Sequence, residues 1–292
     1  MTFFDLLQES RPVLLASSAA LGLIIGSFLN VVILRLPVML EHGWRRDCQE
    51  YLGIEGEEDA SPPISLVSPR SSCSSCGHPI GALENIPVLS YLLLGGRCSG
   101  CGARISLRYP LIEAATAAIT FIIAYRFGPS VQTVAAMFFG WTLLCLAVID
   151  AERQILPDSI TLPLLWLGLV VNSQGLLVSA DTAILGAAFG YGLLWLVYQL
   201  FRLATGKEGM GYGDFKLLSA IGAWLGWQAL PVVIVLSSAV GASLGILMIA
   251  LARLDRSKPI PFGPFLALAG FISLIAGDRI LTFYLDFAGL SR

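Results

Sequence analysis

Histidine is almost missing from this chain. There are two in 292 residues, His42 and His78, and HExxH does not occur. Mechanisms built on Ser–His, Cys–His or a zinc-protease helix therefore have no good candidates. Charge is scarce as well: Asp, Glu, Lys and Arg make up 13% of the chain, against about 25% in soluble domains. With 56% hydrophobic residues and a mean hydropathy of +0.78, the composition argues against a soluble domain and for a polytopic membrane protein. The net charge of −2 gives no reason to expect nucleic acid as a partner. No internal repeat, low-complexity tract or Rossmann-type glycine-rich turn is visible.

What is present is a series of long apolar runs. A span needs roughly 20 apolar residues, and the sequence predicts eight: about 13–34, 109–126, 131–150, 159–178, 182–203, 215–228, 230–252 and 262–278. The sixth is short, and 215–252 could instead be one element kinked around Trp227–Pro231. The first run is too long for a signal-peptide core and lacks a small-x-small cleavage site, so it reads as a retained span.

With the N-terminus placed outside, fourteen Lys and Arg fall on the inner side and four (Arg11, Arg126, Arg279, Arg292) on the outer. Leaving out the long 35–108 segment, the bias is still seven to four, which orients the chain by the positive-inside rule. The expected class is all-α, with about eight transmembrane helices and a cytoplasmic zinc-binding loop domain between the first two. Three regions follow: 1–34, the N-terminal tail and first span; 35–108, the cytoplasmic loop; and 109–292, the membrane-embedded core. Residues 41–60 are acidic and read as a solvated loop, or as a surface that attracts a basic partner.

Four of the six cysteines form two matched knuckles, Cys73-Ser-Ser-Cys76 and Cys98-Ser-Gly-Cys101. The spacing resembles a zinc ribbon, and a closed tetrahedron of four cysteine thiolates is a structural zinc site. Two disulfides or a redox pair are the alternatives, and a reducing cytoplasm disfavours the first. Gly77 and Gly102 follow the knuckles and suit tight turns. Cys48 and Cys145 lack a partner pattern. His78 stands beside the first knuckle, as loop surface or as an outer support.

Two aspartates stand out from the apolar runs. Asp150 ends one, where a carboxylate meets the wrong end of the helix dipole. Asp214 sits in GMGYGDFK at the head of another, either as an N-cap or for chemistry. Both land on the predicted cytoplasmic side, and ionisable groups at membrane depth are functional candidates by default. Brought together, two carboxylates can divide the work of acid and base. Gly209, Gly211 and Gly213 permit close backbone approach. Lys216 is either a flanking charge or a group that tunes the pair. Asp158 or Ser159 can N-cap the span after Pro157.

These residues resemble the membrane-embedded GxGD aspartyl proteases, and among them the bacterial type IV prepilin peptidase (leader peptidase/N-methyltransferase) family. The resemblance is carried by GSFLNVVILRLP at 26–37, SPRSSCSSCGHPI at 68–80, NIPVLSYLLLGGRCSGC at 85–101, ISLRYPLIE at 105–113, ID…LPD at 149–158 and GYGDFK at 211–216. It implies Asp150 and Asp214 as the catalytic pair, and cleavage after a Gly, typically before Phe, in type IV prepilins and type II secretion pseudopilins. It further implies methylation of the new amine with S-adenosylmethionine, zinc on Cys73, Cys76, Cys98 and Cys101, and a place in the bacterial inner membrane with the N-terminus periplasmic. Gly96 and Arg97 match a step the family associates with methylation; many relatives carry Arg-Gly-Lys where this chain has Gly95-Gly96-Arg97. Asn30 is a further candidate for that step or for interhelical hydrogen bonding. The competing classes are an ion-coupled transporter, which would favour mid-span charges and repeated halves, and a zinc-ribbon adaptor without catalysis. No sequence feature fixes an oligomeric state.

Overall fold

The computed structural model describes residues 3–54, 64–251 and 260–287. Its elements are helical throughout: α1 (Phe3–Glu9), α2 (Arg11–Leu52), α3 (Leu89–Leu93), α4 (Arg108–Phe127), α5 (Val131–Arg153), α6 (Asp158–Ser173), α7 (Ala180–Thr205), α8 (Tyr212–Leu225), α9 (Leu230–Ala250) and α10 (Gly263–Phe287). Among the described residues there are no strands, only two isolated β-bridges, Ser72 with Pro79 and Arg97 with Arg104. Five helical stretches are long and apolar enough to cross a membrane: α2, α4, α5, α7 and Trp227–Met248. Two more, Asp158–Ser173 and Gly263–Gly277, are apolar but shorter.

The chain divides into two compact units, 1–129 and 130–292. The sequence had suggested a boundary at 108/109; the structural division places α4 with α2. In the first unit these two helices meet through small residues. A Cβ at Gly22 would lie 2.6 Å from the Ala117 Cα, and one at Gly26 would lie 2.6 Å from the Glu113 Cα. Between membrane helices, where hydrophobicity gives little net attraction, such close backbone contact supplies the packing energy.

Helix α2 corrects the expected end of the first span. It does not stop near residue 34 but runs 42 residues, through Pro37, to a left-handed cap at Gly53 (φ 61°). At 1.5 Å per residue that is about 63 Å, roughly twice the hydrocarbon thickness. The sequence boundary had been set by hydropathy, which marks where apolarity ends and not where the backbone stops hydrogen-bonding. Glu41, Asp47 and Glu50 thus lie on a helix rather than in a loop; Glu55, Glu57, Glu58 and Asp59 lie outside the described residues.

In the second unit α8 is the central element. From Asp214 to Trp224 every residue but Lys216 is buried. That explains how a 14-residue helix is accommodated: it is enclosed by protein, where short helices are tolerated. Helices α6 and α7 pack against it, while Trp166, Val170, Phe189 and Leu200 on their outer faces are exposed, as lipid-facing residues are. Asn172 fastens the far end. Its Nδ2 donates to the carbonyls of Ala223 (2.9 Å) and Trp224 (3.0 Å), and its Oδ1 accepts from the N–H of Leu177 and Val178. The Trp224 indole N–H donates to the Leu164 carbonyl at 2.8 Å. Helices α8 and α9 are separate: Gly226 (φ 81°) and a 3-10 turn at Trp227–Ala229 divide them, which settles the alternative of one kinked element.

The α7–α8 contact depends on Gly186 and Gly222, since a Cβ on either would overlap the other's carbonyl. Backbone cannot yield as a side-chain tip does. Gly222→Ala is therefore expected to destabilise by about 1–3 kcal/mol, the usual range for overpacking, lowering the thermal midpoint of the detergent-solubilised protein. An unchanged midpoint would show that the helices can separate freely.

Candidate active site

Asp150 lies in the last turn of α5, just before the cap at Gln154 (φ 56°), and is 6% exposed. Asp214 is in the first turn of α8 and is 8% exposed. The N-cap of α8 is Gly211, without a side-chain cap bond, so Asp214 is not the cap that sequence reasoning allowed. A carboxylate in a helix's first turn is on the favourable end of the dipole; one in the last turn, as at Asp150, is not. Both lie in the second unit, and Gly213, beside Asp214, rests against Leu156 in the connection that follows Asp150, so the two buried carboxyl groups share one locality.

Asp150 has compensation that the sequence did not reveal. The backbone N–H of Gly263, the first residue of α10, donates to Asp150 Oδ2 at 3.0 Å. The positive end of α10 thus complements a carboxylate that its own helix disfavours. The signal was present in the Pro261-Phe-Gly-Pro264 sequence: a glycine between prolines at the head of an apolar run marks a helix start with a close approach. A Cβ at Gly263 would lie 2.6 Å from Asp150 Oδ2. Gly263→Ala should displace that carboxylate and lower turnover about 10-fold or more, in line with the losses seen when an active group is misplaced by an ångström. The check is steady-state kinetics of the reaction the carboxyl pair carries, with wild-type values telling against a role for the contact.

The glycines before Asp214 serve different ends. A Cβ at Gly213 would lie 2.8 Å from Leu156 Cβ, so this glycine lets α8 rest against the α5–α6 connection that follows Asp150. Gly211 has open space, and Gly209 faces the Phe201 ring. Lys216 donates to both carboxylate oxygens of Asp158 at 2.7 Å, which ties the start of α6 to the start of α8. That corrects the expected capping role of Asp158: the N-cap of α6 is Pro157, and the helix has no side-chain cap bond. The carboxylate had a stronger, cationic partner.

In the first unit the four knuckle cysteines converge, with all four Sγ atoms within 4.8 Å of one another. Cys73 and Cys101 are 3.9 Å apart, and Cys76 and Cys98 are 4.0 Å apart. A disulfide would need about 2.05 Å, and all six cysteines are free. A tetrahedron of thiolates about 2.3 Å from a central zinc has edges of about 3.8 Å, so the cluster fits a metal ion. The two knuckles repeat one pattern: Cys73 N–H to His78 O and Gly77 N–H to Cys73 O, then Cys98 N–H to Ala103 O and Gly102 N–H to Cys98 O. The glycines take φ of 73° and 71°, which L-residues rarely adopt.

Backbone N–H groups of Ser75 and Cys76 push the Cys73 thiol down to about 6. At Cys76 the His78 N–H pulls down, but the neighbouring thiols and burial outweigh it and hold the group up at about 12. Crowded thiolates require a cation to share. His78 is not a ligand; its Nε2 meets Ser99 Oγ at 3.2 Å, while Ser99 donates to Glu84, bracing one knuckle against the other. Gly96 is buried at φ 67°, and a Cβ there would lie 2.7 Å from Tyr91 Oη. Arg97 is exposed and pairs through its backbone with Arg104. Asn30 makes the expected interhelical bond, Nδ2 to the Tyr109 carbonyl at 3.1 Å.

Comparison with known proteins places the chain in a family. Residues 20–127 match the Bacterial Peptidase A24 N-terminal domain, and residues 137–246 match the Type IV leader peptidase family. A Pseudomonas aeruginosa protein is 52% identical over 289 residues, covering 99% of both chains. An Aeromonas hydrophila protein is 55% identical over 264 residues, covering 90% of this chain and 91% of its own. One from Neisseria gonorrhoeae is 46% identical over 274 residues, covering 94% of each. All three are named prepilin leader peptidase/N-methyltransferase. No solved structure matches the chain.

Proposed function

Since this chain belongs to the type IV leader peptidase family, we propose that it removes the leader of type IV prepilins and N-methylates the residue exposed, with Asp150 and Asp214 as its peptidase pair. The observation that carries the reading is the burial of both carboxyl groups in one unit, at helix ends that face the same locality. One carboxylate takes a proton from water as the water attacks the scissile carbonyl, and the other, held neutral, protonates that carbonyl oxygen; as the intermediate collapses the first gives its newly gained proton to the leaving amine, and the second takes its own back from a diol hydroxyl. Asp150, steadied by the Gly263 N–H, is suited to the ionised role. Asp214 supplies the proton. No covalent enzyme intermediate is needed, and this agrees with the lack of a serine, cysteine or histidine nucleophile system.

The substrates extend to pseudopilins, and cleavage follows a Gly, typically before Phe. The eight apolar runs of the sequence all belong to the membrane part, with the N-terminus periplasmic, both aspartates at the cytoplasmic face, and the protein in the bacterial inner membrane. The Lys and Arg asymmetry supports that orientation. The knuckles hold zinc through Cys73, Cys76, Cys98 and Cys101, since a closed set of four thiolates suits it. S-adenosylmethionine supplies the methyl group when bound. Gly96 and Arg97 belong to that half of the function; Gly96 acts by letting the chain turn behind Tyr91.

The test is incubation of the purified protein with S-adenosylmethionine and a prepilin bearing a Gly–Phe junction, and mass measurement of the product. A shortened, methylated pilin is expected. A proton-coupled transporter would leave the prepilin intact.

A further inference from the structure

Helix α3 turns its two faces to different surroundings. Ser90 and Tyr91, with Leu94 just after the helix, line a cavity of about 360 Å³ in the first unit. Leu89, Leu92 and Leu93 stand on the outer side, at the i, i+3, i+4 spacing of one helix face. Leu92 and Leu93 are 68% and 77% exposed. Apolar residues scattered singly over a surface need no explanation, but three on one turn mark a contact surface.

One hydrogen bond sets the depth of that face. The N–H of Val88, at the head of α3, donates to Glu113 Oε2 at 2.7 Å. Glu113 lies five residues beyond Arg108, the first residue of α4, which is about 7.5 Å along the helix axis. With 20 residues, α4 is about 30 Å long and just matches the hydrocarbon thickness. The start of α3 is thus tied to α4 at a level inside the apolar layer, within the roughly 5–10 Å to which interfacial amphipathic helices sink. At this level α4 itself faces lipid. Leu107 and Leu111 are exposed, and with Ala114, Ala118, Phe121 and Tyr125 they form one exposed stripe down the helix, spaced three and four apart.

The charges beside α3 fit the same boundary. The Arg97 N–H donates to the Leu94 carbonyl at 3.2 Å, so this arginine follows α3 directly. It pairs with Arg104 in an antiparallel bridge. Both are exposed, and among the described residues neither has an acidic partner. Like charges directly opposite each other repel, and an anion shared between two guanidinium groups offsets that. At the edge of a bilayer the anion at hand is a headgroup phosphate.

We propose that α3 is an interfacial anchor whose partner is the lipid bilayer. Leu89, Leu92 and Leu93 enter the leaflet at the Arg108 end of α4, and Arg97 and Arg104 hold headgroup phosphates. The cysteine knuckles, which follow and precede this helix in the chain, are thereby kept against the membrane surface instead of standing free of it. The inference takes α4 as a membrane span.

The test uses full-length protein in phospholipid vesicles, with photoreactive benzoylphenylalanine in place of one residue at a time. The positions are Leu93, Phe121 in the exposed stripe of α4, and Tyr51, which is 90% exposed near the end of α2. Adducts formed on irradiation are identified by mass. Leu93 and Phe121 are each expected to capture about 10-fold more phospholipid than Tyr51, because acyl chains surround only the first two. Capture at Leu93 no greater than at Tyr51, or capture of a second copy of the chain in place of lipid, overturns the proposal. Failure of Phe121 to capture lipid overturns the reading of α4 as a span, a separate outcome. Capture at Leu93 should also rise with the anionic lipid content of the vesicles, and Arg97→Gln combined with Arg104→Gln should remove the rise; a flat response with both arginines present strikes phosphate recognition from the assignment. A second route changes Leu89→Ser, Leu92→Ser and Leu93→Ser together, which removes the apolar face and leaves Ser90 and Tyr91 in place. Metal content should match wild type, showing that the knuckles still fold, while protease cleavage between residues 83 and 107 in vesicles becomes about 10-fold faster as the segment leaves the bilayer. An unchanged cleavage rate at full metal content would show that lipid does not cover the segment.

Discussion

Asp150→Asn and Asp214→Asn are each expected to abolish leader removal. The expected fall in turnover is ~10²–10⁴-fold, the range for loss of a general acid or base, and neither change should rescue the other. Asn keeps the volume of Asp and can still accept the Gly263 N–H, so the substitution tests proton transfer rather than packing. Both positions are buried, 6% and 8% exposed, and an amide there removes the transferable proton or its acceptor instead of creating a cavity. Folding should survive, which a wild-type thermal midpoint would confirm. If the two groups act as one unit, the double variant should be no slower than either single one, because losses within a catalytic set are not additive. A variant of either aspartate that cleaves a Gly–Phe prepilin at the wild-type rate sinks the assignment of that residue.

Cys98→Ser carries the second large effect. The zinc content should fall from one ion per chain to near zero, and residues 64–107 should lose their structure. Of those residues only Gly96 is buried, so the segment has no apolar core to hold it. In such small metal-organised folds the ion contributes about 10–16 kcal/mol of apparent binding energy, and a hydroxyl does not replace a thiolate ligand. Elemental analysis of the purified variant, with limited proteolysis of the knuckle segment, gives the answer. Full zinc occupancy with protease resistance would mean that the four sulfurs are not its ligands. Chelation of the wild-type protein should reproduce the same loss of protection.

Much of this was legible without coordinates. The apolar runs near 13–34, 109–126, 131–150 and 182–203 each lie within or across a long apolar helix, because a hydrophobic run of that length has few other stable forms in a bilayer. The cysteine spacing was equally readable, since two tight knuckles leave the thiols little choice of direction. Other features were not. The extension of α2 to Leu52 was hidden because charged residues are good helix formers and hydropathy does not register them. The pairing of Lys216 with Asp158 crosses two helices and 58 positions; no local pattern could separate it from a flanking charge.

Sequence alone determined the class of the chain, its family resemblance, the four-cysteine cluster and the two aspartates as candidates, since each depends on composition or short spacing. Tertiary structure decided how those aspartates are supported. It brought the Gly263 N–H to Asp150 across 113 positions and set Gly213 against Leu156 so that α8 could begin beside the end of α5. The physical reason is the same in each case: the hydrogen bonds and close contacts that hold a buried charge are made between distant segments, and only packing chooses which segments meet.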